Sequence, residues 1–139
     1  MKKYLILIIA FLPLIIGSQC NKDECHKNIL FVNNSNIPLY VLGDPNYPDT
    51  LSFSSCGGFI KDLKVNAQSS SNYPLERRSC YESLFGYEIK SNILMVYVFN
   101  ADTVDNNSWS YIIDNYKVLY RYELTLEDLQ RMNWTVTYP

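Results

Sequence analysis

Apolar residues in this chain fall into one long N-terminal block followed by short runs of changing period. Tyr4 to Ile16 is a 13-residue apolar stretch broken only by Pro13. Further on, Ile29-Leu30-Phe31-Val32 reads as a buried strand. Ile37 to Leu42 reads as a second, with Pro38 at its edge or its beginning. The turn cluster Asn33-Asn34-Ser35-Asn36 between them predicts an antiparallel hairpin. Ile93 to Phe99 is seven consecutive apolar residues, several β-branched or aromatic, which predicts a central strand buried on both faces. Trp109, Ile112, Ile113 and Tyr116 recur at i, i+3, i+4, i+7 and predict one face of a short helix opened by Asp105. Tyr116, Val118, Tyr120, Tyr122 and Leu124 then alternate with Lys117, Leu119, Arg121 and Glu123, as a strand requires. Thr125-Leu126-Glu127-Asp128 has the spacing of a capping box, with Leu126, Leu129 and Met132 turned inward on the helix it opens. Trp134, Val136 and Tyr138 return to period two and predict a closing strand.

The middle of the chain is less regular. Gly43 to Gly58 is rich in turn residues and reads as a surface loop, with a short strand at Leu51–Phe53. Leu63 and Val65 alternate with Lys64 and Asn66, Gln68 to Asn72 reads as a Ser-rich loop, and Cys80 to Phe85 as one helical turn. No repeat, low-complexity tract or interdomain linker interrupts the pattern. The expected fold is mainly β: an antiparallel two-sheet sandwich, Ig-like or transthyretin-like, with short inserted helices. Few and unequal strands favour that over a barrel.

Composition fits one globular domain: 139 residues, 47% hydrophobic and 14% aromatic. The twelve tyrosines suit half-buried strand faces and also binding surfaces. Removing Lys2 and Lys3 with an N-terminal signal takes the net charge from −2 to −4. Arg77-Arg78 is the nearest thing to a basic run, so the cationic footprint of a nucleic-acid binder is missing.

Met1-Lys2-Lys3 followed by the apolar block has the form of an export signal, too short to span a bilayer as a helix. Gly17-Ser18-Gln19-Cys20 resembles a bacterial lipobox, in which the Cys thiol takes a diacylglyceryl group and the new amine a further acyl chain. Gly17 stands where the motif has Leu, and Gln19 where it has a small residue. Two or more chains give stable anchoring. The competing reading is ordinary signal-peptidase cleavage near Gly17 or Ser18, which yields a soluble secreted protein. Lys22-Asp23-Glu24 resembles the surface-export signal of Bacteroidetes lipoproteins, which implies delivery to the outer leaflet of the outer membrane. The expected organisation is a signal peptide over 1–19, a lipidated tether over 20–27 and a single β-rich domain over 28–139.

Four cysteines are present: Cys20, Cys25, Cys56 and Cys80. An exported chain meets an oxidising compartment, so disulfides are allowed. With Cys20 acylated, three thiols remain and one is left over; without acylation, two bridges can form. Cys25–Cys80 would tie the start of the first strand to mid-chain, and Cys56–Cys80 is the competing pair; spacing leaves the choice open.

The closing segment from Arg121 to Pro139 resembles the C-terminus of a group of small Bacteroides-type surface lipoproteins. So do Ile29-Leu30-Phe31-Val32-Asn33-Asn34-Ser35, Tyr47-Pro48-Asp49-Thr50 and Cys80-Tyr81-Glu82. Such relatives carry Cys-His before the first strand and Cys-aromatic-Glu in mid-chain, which favours the Cys25–Cys80 pairing here. The resemblance implies an address and a fold, and brings no activity with it.

Candidate chemistry is sparse. His26 is the only histidine, and its place in the expected tether does not suit a triad; Cys25-His26 could bind a metal ion weakly, but no second ligand pair has the spacing of a site. Asp44, Asp49, Glu82 and Glu88 could formally supply an acid/base pair, but no motif elevates them. Glu127 and Asp128 fit capping and the helix dipole. Asp49-Thr50-Leu51 and Asp102-Thr103-Val104 resemble O-glycosylation tripeptides of exported Bacteroides-type proteins, with Thr50 and Thr103 as acceptors, both in expected loops. The expectation is a non-enzymatic lipoprotein with no cofactor or metal beyond the lipid on Cys20. It would act as a binding module for a glycan or a protein at the cell surface. A structural or fimbria-associated envelope component acting by strand pairing is the alternative.

Overall fold

The structure, a computed structural model, describes residues 24–48 and 60–139. Among these the strands are β1 Leu30–Asn33, β2 Leu39–Asp44, β3 Lys64–Val65, β4 Ser69–Ser71, β5 Leu94–Asn100, β6 Tyr120–Leu124 and β7 Thr135–Tyr138. The helices are α1 Tyr81–Tyr87, α2 Ala101–Asp105, α3 Trp109–Asp114 and α4 Leu126–Arg131, with 3₁₀ turns at Ile60–Leu63 and Tyr73–Leu75. One sheet has the order β4-β1-β7 and the other β3-β2-β5-β6.

The apolar run becomes β5, and its period-two alternation divides two cores. Leu94, Val96 and Val98 join Ile29, Phe31, Leu39, Val41, Leu129 and Val136 in a cluster that draws on both sheets. Met95, Tyr97 and Phe99 point the other way, to Tyr40, Ala101 and Ile112, with Trp109 and Val104 packed alongside. β5 is therefore covered on both faces, by the other sheet on one side and by α2 and α3 on the other. Each large side chain so buried contributes roughly 1.5–3 kcal/mol of transfer free energy.

β1 and β2 form where expected but do not pair with each other. β1 lies between β4 and β7, and β2 between β3 and β5. The cause is Asn33, whose buried side chain reaches across the turn. Its Nδ2 donates to the carbonyls of Ile37 (2.8 Å) and Asn66 (2.9 Å), and its Oδ1 accepts from Ser35 N (2.9 Å). That network carries the chain from one sheet to the other. β1 pairs antiparallel with β4 but parallel with β7, so the first sheet is mixed rather than antiparallel. β4 itself occupies part of the expected Ser-rich loop, because it completes the open edge of β1. Pro38 marks the beginning of β2, which is an interior strand. α1 runs for seven residues rather than one turn. The expected strand at Leu51–Phe53 lies outside the described residues.

α3 is opened by Ser108, whose hydroxyl accepts from Tyr111 N (3.2 Å). Asp105 instead closes α2, accepting from Tyr40 Oη (2.7 Å) and Lys64 Nζ (2.8 Å). Burial of Tyr40 and then the Asp105 carboxylate push its hydroxyl up to about 12. α3 stops in a Schellman motif: Tyr116 N donates to Ile113 O (3.0 Å) and Lys117 N to Ile112 O (2.9 Å), with Tyr116 at φ 46°. The left-handed residue takes Tyr116 out of the expected alternation, so β6 begins only at Tyr120. α4 has the capping box, with Thr125 Oγ1 accepting from Asp128 N (3.1 Å) and the Asp128 carboxylate from Thr125 N (3.0 Å). It ends in a second Schellman motif with Asn133 at φ 49°.

Candidate functional site

Cys25 and Cys80 are joined, with Cα atoms 5.0 Å apart. The bridge sets residues 25–27 alongside 77–81. His26 O accepts from Tyr81 N (2.7 Å) and Lys27 O from Arg77 N (2.8 Å). The segment expected to be free tether is thus fixed to the domain from Cys25 onward.

His26 is half-buried in that corner. Its Nδ1 lies 2.6 Å from Glu82 Oε1, and its backbone N donates to Glu82 Oε2 (3.0 Å). The imidazole stacks on the Trp134 indole at 4.2 Å and 13°, and Tyr81 meets the same indole at 5.8 Å. Glu82 sits in the first turn of α1, where the helix dipole also favours a carboxylate. The two sulfurs are tied up in the disulfide, and among the described residues no Ser or Thr hydroxyl hydrogen-bonds the imidazole. The arrangement is that of a clasp holding the N-terminal segment to α1 and Trp134.

Burial raises the Glu82 carboxyl, but the His26 ring, the backbone N–H groups of Glu82 and His26, and the His26 charge outweigh it. They hold the group below its ordinary 4.5. A carboxylate lowered in the folded state stabilises it fully above the unfolded value and loses that contribution as pH falls through the folded value. Wild-type stability is therefore expected to fall more steeply below pH 4.5 than that of Glu82→Gln. Urea unfolding of both proteins at stepped pH checks this, and parallel curves would remove the clasp's ionic component.

The other candidate residues are scattered. Cys20, Lys22, Asp23, Asp49 and Thr50 lie outside the described residues, and Glu24 is exposed. Asp44 is buried and accepts from Asn46 N and Nδ2, both at 2.9 Å. Glu88 is the exposed C-cap of α1. No hydrogen bond links Asp44, Glu82 and Glu88 among the described residues. Thr103 is inside α2, half-buried, and not in a loop as expected; its carbonyl accepts from Asn107 Nδ2 (2.7 Å).

Among the described residues, several exposed tyrosines lie on or near β6, the edge of its sheet. Tyr120 is 50% exposed, and its ring meets Tyr122 at 4.7 Å and Tyr138 of β7 at 5.9 Å. Tyr122 Oη donates to Thr137 O (2.7 Å), bridging the edges of the two sheets. Burial, then Tyr120 and Tyr138, push the Tyr122 hydroxyl up to about 12, so it remains a donor there. On the opposite face of β6, Arg121 Nη1 donates to Tyr116 Oη (3.2 Å) and Nη2 pairs with Glu123 (2.8 Å). Lys117 sits 5.7 Å above the exposed Tyr111 ring. Tyr120, Tyr122 and Tyr138 thus form a strip of rings across the edges of the two sheets, on one face of β6. Such a strip can stack on an apolar ring face and hydrogen-bond its rim.

No family model, curated protein or solved structure matches this chain.

Proposed function

We propose that the protein is a non-catalytic binding module that takes a glycan on the tyrosine strip around β6. In this reading a lipid on Cys20 displays it at the outer-membrane surface, and the two sheets serve as a sandwich-type scaffold. The observation that carries the reading is the exposed Tyr120 ring set against Tyr122 and Tyr138 where the edges of the two sheets meet. So small a cluster of rings suits the apolar face of a sugar better than a broad apolar protein interface. The strand-pairing alternative is less well supported. β6 and β7 have only five and four residues, and a charged pair guards one face of β6.

The test is a neutral-glycan array probed with the exported protein and with Tyr120→Ala. The wild type is expected to bind, and the variant to bind about tenfold more weakly or worse, with its thermal midpoint little changed. Absence of binding by the wild type, or equal binding by both, would sink the proposal. Mass spectrometry of the mature N-terminus with protease shaving of whole cells tests the address separately.

A further inference from the structure

A second surface of different character lies beside the disulfide. A shallow cleft of about 630 Å³ gathers Lys27, Arg77 and Arg78 around the bare backbone of Gly43, with Tyr73 and Glu76 also lining it. The gathering follows from the fold. The Cys25–Cys80 bridge and the Lys27 O to Arg77 N hydrogen bond (2.8 Å) bring a lysine to an arginine pair fifty residues away in the chain. Arg77 Nη2 donates to Gly43 O (2.8 Å). A side chain at Gly43 would place its Cβ 3.2 Å from that nitrogen and 3.0 Å from Leu75 Cδ2, so glycine leaves room for the guanidinium to lie there.

Among the described residues no salt bridge pairs the cations of this cleft. Among the described residues Lys64, Arg121 and Arg131 each hold a carboxylate, whereas none of Lys27, Arg77 and Arg78 forms a salt bridge. Among the described residues that line it, three cations stand against Glu76, so this lining is positive in a chain of net charge −2. Tyr73 stands 57% exposed beside them on the 3₁₀ turn Tyr73–Leu75, which is anchored by the buried Pro74 and Leu75. A guanidinium is a fork for two oxygens of one anionic group, and an exposed ring is a platform for an apolar ring face.

We propose that this cleft binds an acidic saccharide bearing carboxylate or sulfate groups. Arg77, Arg78 and Lys27 hold the anionic group, and Tyr73 lies against the sugar ring. The concave shape and the ring favour a discrete saccharide over a flat anionic membrane. The site shares no residue with the tyrosine strip, so the failure of either leaves the other standing.

The test is titration calorimetry on the exported protein with four probes: a heparin-derived tetrasaccharide, an oligogalacturonate, neutral maltotetraose and inorganic sulfate. Sedimentation with phosphatidylglycerol vesicles is the fifth arm. At least one acidic oligosaccharide is expected to bind, more weakly as salt rises, with maltotetraose and the vesicles silent. The Lys27→Gln/Arg78→Gln double variant, exposed at both positions, is expected to lose about tenfold or more in affinity. Tyr73→Ala should lose severalfold, and Tyr120→Ala nothing. Thermal midpoints confirm that the variants fold. The proposal is overturned if neither acidic oligosaccharide binds, if maltotetraose or sulfate binds as tightly, if the vesicles bind instead, or if the double variant is unaffected.

Discussion

The Cys25→Ser/Cys80→Ser double variant is expected to be about 4 kcal/mol less stable than the oxidised wild type. The bridge spans a sequence separation of 55. Closing a loop of that length removes chain entropy from the unfolded state, and the gain grows only as the logarithm of loop length. Both cysteines must go together, so that neither is left to pair with Cys56. The native state loses something as well. Without the bridge, residues 25–27 are held by the Glu82 carboxylate, the Trp134 stack and two backbone hydrogen bonds, none of which closes the loop covalently. A domain of this size has a total stability of about 5–15 kcal/mol, so the loss takes a large share. Guanidinium unfolding at one pH, with the slope compared as well as the midpoint, reads the effect. A double variant within about 1 kcal/mol of wild type would show that the loop-closure account does not hold here.

Local pattern carried the elements that local physics decides. The seven-residue apolar run became a strand buried on both faces, because only such a strand needs no polar side. The Thr125 to Asp128 spacing became a capping box, and the alternation after Trp134 became β7. What failed were pairings decided by distant partners. The turn cluster from Asn33 looks like a hairpin turn, yet Asn33 spends its amide on Asn66, which no local reading can see. β4 is three serines, with no hydrophobic period to announce a strand, and it exists because β1 offers an edge. The site shows the same division. Cys25–Cys80 was legible through a resemblance, but its corollary was missed. Once those two are joined, His26 and Glu82, one and two residues further on, are brought close enough to meet. Arg77-Arg78 looked like a mere pair, because the third cation of its cleft comes from Lys27 at the far end of the same bridge. Alternation placed Tyr120 and Tyr122 on one strand face, but nothing local could set Tyr138 of β7 beside them.

Trp134→Ala is expected to cost about 3–5 kcal/mol, the range for truncating a large buried aromatic. Trp134 is only 8% exposed and lies where four parts of the fold meet. Its N donates to Leu129 O (2.8 Å) to finish the Schellman motif of α4, its O accepts from Leu30 N (2.9 Å) to start the parallel pairing of β1 with β7, and its ring carries His26 and Tyr81. The backbone there is left-handed, at φ 56°, directly after Asn133 at φ 49°. That conformation costs a side-chain-bearing residue about 1–2 kcal/mol, and glycine almost nothing. Trp134→Gly, which removes more side chain, is therefore expected to be no less stable than Trp134→Ala, the reverse of the order in an ordinary strand. Unfolding of both variants measures the order directly, and a glycine variant clearly below the alanine variant would remove strain from the account. The indole also shares His26 with the disulfide corner, so its contribution depends on that corner being in place. Trp134→Ala made in the background lacking Cys25 and Cys80 should cost less than in the wild type, by the coupling energy that contacting groups show in a double-mutant cycle. Equal costs in the two backgrounds would mean that the indole is a core residue independent of the clasp.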